Sequence, residues 1–435
     1  MGGICGVLRL DGAPVDPACL RAIAAKAPYR AGGYTHDWIN GSIGLGVLAS
    51  PVSTGVCLGD HLAVAAHARL DNREELVHLL AAKGCLPAGA PSDPELILAA
   101  FACWGPGCGE RLQGAYSLAC WNSADSSLVL LRDRLGERAL YWCSTPQALY
   151  FASEPAQLLA VDSIDPAPNL ERALAYLLKQ PFDSTWSFFR AIHRLPEAHF
   201  LICRDRQVML QRYWSPHGVA QRAWRRAEAA EALSHSLEQA TARRLAKDGE
   251  VGVLLSAGLD SGSIAAKAST LLQRQAKQLC AFTWESRARD PLDERKWSSL
   301  LVAALPNLTE FPVLADEHYP LSRYPAAYAD PNAPDANTYP DLLLATIEIA
   351  RQQGVQVLMN GMGGDLVIGG VLPELALLRQ GRWGVLAQRL RRSGRRSLSM
   401  LAGQVRAAAK MDLPSWISPA GNRPESSLSF YGKHG

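Results

Sequence analysis

Short apolar runs separated by polar turns fill the first 160 residues: Ser42 to Leu48, His61 to Ala66, Tyr116 to Trp121, Ser127 to Leu131 and Ala148 to Ala152. Such runs, bounded by Gly, Asn, Asp and Ser, predict strands. Two helices are predicted among them. Asn72 precedes Glu75, Leu76, Leu79 and Leu80 at helical spacing, and Ser92 with Glu95 forms a capping box ahead of Leu96 to Trp104. The pattern reads as a layered α+β domain. A last strand pair, His199 to Ile202 and Gln207 to Leu210, ends at Tyr213 and Trp214, before proline and then Arg/Ala/Glu-rich sequence. The boundary is placed there, giving domains of residues 1–214 and 215–435.

Beyond it, strand and helix alternate: Val251 to Leu255, a helix from Ser261, Leu279 to Trp284, a helix from Asp293, and Val355 to Asn360. Apolar strands without period-two polarity predict a parallel sheet covered by helices on both faces. From Leu366 onward the sequence reads as helical and basic, and no internal repeat is found.

Composition narrows the class. Over 435 residues, 48% hydrophobic and 20% charged content excludes wholesale disorder. Lys plus Arg total 44 against 41 Asp plus Glu, and a net charge of +3 gives no general attraction to nucleic acid or anionic membranes. No apolar run is long enough to span a bilayer, and the N-terminus lacks a signal-peptide pattern, so a cytoplasmic location is expected. The ten cysteines are dispersed without a CxxC pair, which suggests neither a zinc ribbon nor a redox dithiol. The histidines form no HxxxH with an acidic neighbour, and no GxSxG occurs.

Candidate chemistry concentrates in VGVLLSAGLDSGS, a buried strand followed by Ser256, Gly258, Asp260 and Ser261 at the mouth of a helix. Small residues let backbone N–H groups approach a pyrophosphate, the hydroxyls donate further hydrogen bonds, and a helix N-terminus adds positive partial charge. Asp260 could then hold magnesium. The string lacks the lysine of a Walker A loop, which disfavours γ-phosphoryl transfer. A second strand runs into Asn360, Gly361, Met362, Gly363, Gly364 and Asp365. In a parallel sheet that edge binds ligands, and two carboxylates from different strands suit a magnesium ion bridging phosphates. A plain glycine hairpin is the alternative for the second string alone.

These two strings resemble the asparagine synthetase family, whose synthetase domain carries an SxGxDS loop and a later GxGxD loop. Upstream, SDPELILAAFACWG, LQGAYSLACW, LLRDRLGERALYW, FASEPAQLLA and IHRLPEAHFLICRD are similar to that family's glutaminase-type domain in the same order. The resemblance implies an Ntn-amidotransferase-like αββα domain followed by a parallel-sheet ATP pyrophosphatase domain of adenine nucleotide α hydrolase-like type. It also implies that Leu255, Trp284 and Asn360 lie against the nucleotide. For Trp284 a place in the core is an equal reading. The segment from Pro334 with Asp335, Asn337, Thr338 and Tyr339 resembles the family's substrate-side loop, or is a loop that caps the next helix.

Departures from the family change the expected activity. Members that hydrolyse glutamine carry a cysteine directly after the initiator methionine, whereas this chain reads Met1, Gly2, Gly3, Ile4, Cys5, and Cys5 is expected to be buried. The glutamine-holding Asn-Gly-Glu is replaced by Ala66, His67 and Ala68, the family's arginine falls at Ala49, and only Asp93 matches. The first domain is therefore expected to keep the fold without releasing ammonia. The strings DGAPVDP, AHARLDNREEL and PLDERKW look most like lasso peptide cyclases (macrolactam synthetases), an antibiotic-biosynthesis branch lacking that cysteine.

That branch implies adenylation of an Asp or Glu side chain of a precursor peptide, then attack by the peptide's amine to close a macrolactam. ATP and Mg²⁺ are the implied cofactors, with Asp260 and Asp365 as catalytic and metal-holding residues. Precursor peptide, leader protease and leader-recognition protein are the implied partners. Alternatives are an asparagine synthetase-like ligase using ammonia, a β-lactam synthetase-like enzyme, or a noncatalytic family member. The seven arginines from Arg379 to Arg396 read first as a solvated helical face, with a hold on an acidic leader or on nucleic acid as the alternative, and are assigned no function. After Asp365 the only lysines are Lys410 and Lys433, and the tail GNRPESSLSFYGKHG reads as disordered or truncated. The expectation is a chain that binds ATP but cyclises poorly alone.

Overall fold

Strands buried on both faces give unbroken apolar runs, and that property organises the first half of the chain. The computed structural model describes residues 2–30, 35–49, 55–178, 180, 182–216, 224–245, 249–256, 258–286, 295–318, 332, 340–364, 381, 383–385 and 387–388. They fall into two compact units, one up to residue 216 and one from residue 224 on, with Asn332 grouped with the first.

The first unit stacks two six-stranded antiparallel sheets. One runs His193–Arg194, Tyr141–Ser144, Ala148–Ala152, Gly3–Arg9, Ile43–Leu48, Thr35–Asn40; the other runs Gln207–Arg212, His199–Arg204, Ser127–Arg132, Gly114–Asn122, Leu62–Leu70, Cys57–Leu58. Alternate residues of Gly3–Arg9 divide between two cores. Ile4 and Leu8 meet Leu45, Ala65, Leu130 and Leu201 between the sheets, while Cys5 and Val7 meet Leu20, Ile23 and Tyr150 on the outer side. The helix Pro17–Ala25 covers that outer side, and Arg73–Ala82 with Asp93–Trp104 cover the other sheet through Leu76, Leu80, Leu96 and Ile97. Each fully buried leucine contributes about 1.5–3 kcal/mol over an exposed one. The result is the expected αββα layering.

Local chemistry sets the helix ends. Glu95 reaches back to the Ser92 backbone N–H at 2.6 Å, as the capping box predicts. Pro17–Ala25 is an additional helix, started by the Asp16 carboxylate accepting from Ala18 N–H at 2.8 Å. Pro155–Leu158 and Leu170–Leu177 are two further short ones. The RDRLGERAL string is a structural lock. Buried Arg132 donates to the carbonyls of Arg138, Leu195 and Gly136, and the Asp133 carboxylate accepts from the N–H groups of Leu135, Glu137 and Arg138.

The second unit holds a four-stranded parallel sheet in the order Leu308–Leu314, Leu279–Glu285, Glu250–Leu255, Val355–Met359. On one face Val251, Val253 and Leu255 pack against Ala265, Ala268 and Leu272 of the helix Leu259–Gln273. On the other, Phe282 and Cys280 pack with Ala350 of the helix Pro340–Gln352. Helices on both faces of a parallel sheet are the expected second class. The first three strands progress in one direction from Glu250–Leu255, and the last is added on its other side, so the order reverses between Glu250–Leu255 and Val355–Met359.

Candidate functional site

That reversal marks the carboxyl edge at which parallel sheets of this kind bind ligands, in the crevice between diverging loops. Both predicted loops arrive there from neighbouring strands, with Val253 paired to Met359. The helix starts at Leu259, two residues before Ser261, with Gly258 as its N-cap. Asp260 thus lies in the first turn, where the aligned backbone dipoles favour negative charge. The turn is held by its own hydroxyls. The Ser256 N–H donates to Ser261 Oγ at 3.1 Å, the two hydroxyls are 2.9 Å apart, and the Gly258 N–H donates to Ser256 Oγ at 3.2 Å. Ser261 is buried and Ser256 is exposed.

The second loop is pressed against the first. A Cβ on Gly361 would stand 2.6 Å from the Ser261 nitrogen and 2.9 Å from Asp260 Cβ, and one on Gly364 would land on the Asp260 carboxylate. Gly363 has a different reason to be glycine: its φ is +88°, with open space around it. Asn360 bends the chain into this loop, its Oδ1 accepting from the Met362 N–H at 3.0 Å. The structure therefore brings together Ser256, Gly258, Asp260, Ser261, Asn360, Gly361, Gly363 and Gly364.

Leu255 and Trp284 take different places. The Leu255 side chain is in the core beneath Leu259–Gln273, leaving its backbone rather than its side chain at the crevice. Trp284, at the C-terminal end of the neighbouring strand, is 37% exposed, and its indole N–H donates to Thr346 Oγ1 at 3.0 Å. It is anchored at the sheet edge, not packed in the core. Thr346 is the residue sequence reasoning missed; 62 positions separate it from Trp284, and no local pattern links them. Asp365, Asp335, Asn337, Thr338 and Tyr339 lie outside the described residues. Among the described residues, no group of three His, Cys, Asp or Glu side chains is arranged to hold a metal.

The positions compared with a glutaminase lie in the first unit. Cys5 is fully buried in the outer core, and burial, then Asp37 and Cys19, push its thiol far above the ordinary range. A thiol so held is not a nucleophile. Gly2 lies against His67: a Cβ there would be 2.9 Å from the Leu48 carbonyl oxygen and 3.1 Å from His67 Cδ2. Asp93 is engaged structurally, accepting from Leu70 N–H at 2.8 Å and from Arg73 at 2.6 Å.

Residues 60–214 match the glutamine amidotransferase domain and residues 232–425 match asparagine synthase. Relatives include "Amidase chry2" of Gibberella zeae, 28% identical over 64% of this chain and 43% of its own length. A putative glutamine-hydrolysing asparagine synthetase of Mycobacterium bovis is 27% identical over 64% of this chain and 43% of its own. A glutamine-hydrolysing asparagine synthetase of Bacillus subtilis is 26% identical over 49% and 30% respectively. The chain spans less than half the length of these relatives. The arginine run from Arg379 to Arg396 and the tail beyond residue 420 fall almost wholly outside the described residues, although the second match extends to residue 425. No helix among the described residues is long and apolar enough to cross a membrane.

Proposed function

Because the chain belongs to the asparagine synthetase family, with both of the family's domains in order, we propose that it is an ATP-dependent carbon–nitrogen ligase. In this reading it activates a carboxylate as the acyl-adenylate and joins it to an amine. The observation that carries the reading is the meeting of the Ser256–Ser261 turn and the Gly361–Gly364 loop at the point where the strand order reverses.

Each residue has a task in that reading. Backbone N–H groups at the start of Leu259–Gln273 receive the phosphates, and Gly258 lets them approach. A substrate carboxylate oxygen bonds to the α-phosphorus while the bond from that phosphorus to the bridging oxygen breaks, releasing pyrophosphate. The amine then attacks the acyl carbon, AMP departs with the bonding pair, and the amine gives up a proton. Magnesium, held by Asp260 with Asp365 as the expected second carboxylate, would offset charge on the departing pyrophosphate. Asp260, half-buried in the first helical turn, is an oxygen donor of the hard type magnesium takes, alongside phosphate oxygens. Trp284, fixed by Thr346, offers an aromatic face at the same edge.

The amine is taken to be the N-terminus of a precursor peptide and the carboxylate an Asp or Glu side chain of the same peptide, closing a macrolactam as in lasso peptide formation. Burial of Cys5 and the His67 ring against Gly2 support this choice, since a domain that releases no ammonia leaves the amine to the substrate. Holding both ends of a peptide together replaces an entropically costly encounter. Leader protease and leader-recognition protein would be the partners. The second reading is an amide ligase fed by free ammonia, favoured by the asparagine synthetase names among the relatives. Incubation with precursor peptide, leader protease and ATP decides between them. Peptide lighter by one water, with AMP and pyrophosphate formed, is expected; AMP formed only when ammonium and a free amino acid are supplied would overturn the macrolactam reading.

A further inference from the structure

The helices Arg73–Ala82 and Asp93–Trp104 share one core, to which the first gives Leu76 and Leu80 and the second Leu96 and Ile97. The first of them ends in a turn that fixes the residue after it. Gly84 takes a φ of +70°, its N–H donates to the Ala81 carbonyl at 3.0 Å, and the Cys85 N–H reaches back to the Leu80 carbonyl at 2.9 Å. Cys85 is thereby held against the shared core, and Cys103 packs on the same core from the last turn of Asp93–Trp104. The two thiols hydrogen-bond each other. They stand 18 positions apart in sequence, so no CxxC spacing announces them, and it is the packing of the two helices that brings them together.

Their surroundings set them apart from the other cysteines. Seven of the ten are buried, whereas Cys85 and Cys103 are half-buried and open to a small reagent. Cys19 is half-buried as well, but burial and then Asp16 hold its thiol above the ordinary range. Cys103 is also held above that range, by burial and then by its hydrogen bond with Cys85, while Lys83 and Arg111 pull the other way. A thiol held up by such a bond is the donor in it, so Cys103 keeps its proton and the Cys85 sulfur accepts. The two cations matter when a sulfur reacts, because the thiolate is the attacking form and nearby positive charge favours it.

We propose that Cys85 and Cys103 are a peroxide-reactive pair, joined by oxidation in a disulfide that thiol reductants reopen. The Cys85 sulfur, as the thiolate, attacks one oxygen of hydrogen peroxide; the O–O bond breaks, hydroxide leaves and takes up the thiol's proton as water, and Cys85 carries a sulfenic acid. The Cys103 sulfur then attacks the Cys85 sulfur, the S–O bond breaks, and a second water departs with the Cys103 proton. Two thiols lose two electrons and two protons, and peroxide takes up both. A partner already within hydrogen-bond reach makes the second step intramolecular, which favours the disulfide over further oxidation of Cys85. The bond ties the C-terminal ends of the two helices and leaves the core between them as it is. The pair lies in the first unit and does not depend on the ligase reading.

Mass spectrometry of the full chain tests it, after treatment with a small excess of hydrogen peroxide, unfolding, alkylation with iodoacetamide and digestion with trypsin. Cys85, Cys103 and Cys108 fall in one tryptic peptide, Gly84 to Arg111. That peptide is expected to lose two hydrogens and to carry its alkyl group on Cys108 alone, and dithiothreitol before alkylation should restore alkylation of all three cysteines. Cys85→Ser and Cys103→Ser, at half-buried positions, should each abolish the loss of hydrogens. The disulfide should form about tenfold or more slowly in chain unfolded in urea, where nothing aligns the sulfurs. Alkylation of Cys85 and Cys103 after peroxide overturns the pair, as does their separate conversion to sulfinic or sulfonic acids. Equal rates in folded and unfolded chain overturn it too, and if either variant does not fold, the wild-type peptide and its rate in urea decide.

Discussion

At the edge of the parallel sheet the chain places its smallest residues, Ser256, Gly258, Gly361, Gly363 and Gly364, whereas on the strand Leu62–Leu70 of the antiparallel sandwich it places long ones, His67 and Arg69. The first arrangement exposes backbone N–H groups and brings two loops into contact around Asp260. The second sets the His67 ring beside Gly2. Both units keep their cores in full, with Leu130 and Leu201 in one and Val253 and Leu255 in the other completely or almost completely buried. Apolar patterning thus maintains a frame whether or not its polar positions are retained, and function has to be argued from the few residues at the openings.

Four measurements test that contrast. The largest effect is expected at Asp260. Asp260→Asn should lower ATP–pyrophosphate exchange about 10²-fold or more, the scale of lost electrostatic stabilisation of a leaving group. Asp365→Asn should do the same if both carboxylates hold magnesium, and wild-type exchange in both would remove the metal assignment. Next is Gly364→Ala, whose new methyl group must displace the Asp260 carboxylate. Exchange should fall about tenfold or more, while Gly363→Asn, at a φ that Asn tolerates, should cost only a few tenths of a kcal/mol in stability. Equal effects at the two glycines would show that backbone conformation rather than Asp260 decides.

The third concerns pH. His67 titrates near 3 when folded, below its ordinary value, so between about pH 3 and 6.5 the unfolded chain binds a proton that the folded chain refuses. Stability then falls as pH falls, with a slope approaching 1.4 kcal/mol per pH unit, roughly, from this residue. His67→Asn should flatten that part of the denaturation profile; an unchanged slope would place the ring in water. The smallest effect is an expected absence. Wild type and Gly2→Cys should both release no glutamate from glutamine above a blank, the first because its Cys5 thiol is buried and the second because the added side chain meets Leu48 O and the His67 ring. Hydrolysis by the variant would show the surroundings of Gly2 to be a working glutaminase pocket that lacks only its nucleophile.

Much of the frame was legible in the sequence because both faces of its strands are buried. Ala148–Ala152 matches its predicted bounds, and Gly114–Asn122 and Ser127–Arg132 extend theirs by only one or two residues. The strand predicted as His61 to Ala66 instead runs Leu62–Leu70. Its last residues carry His67 and Arg69, which break the apolar signal while the backbone stays paired to Gly114–Asn122. Thr35–Asn40 was invisible for a similar reason, since THDWIN is polar and only half-buried at a sheet edge. At the site, the two glycine loops were legible as separate strings. Their contact was not, because it depends on strand order, and neither was the bond from Trp284 to Thr346.

The reversed strand order also sets when the crevice can exist. Leu255 and Val355, on paired strands, are about 100 residues apart, whereas the other neighbours in the sheet are joined by about 23. Two doublings of loop length add roughly 1.2 kcal/mol to closure. Pairing of Val355–Met359 is then the slowest contact of the sheet, since contacts distant in sequence form late. On a ribosome it must wait until about residue 360 has emerged, long after the strands up to Arg212 can have paired. The glycine loop that presses on Asp260 is therefore the closing event of that sheet's assembly, and a nascent chain interrupted before it would carry a folded amidotransferase-like unit and half a crevice.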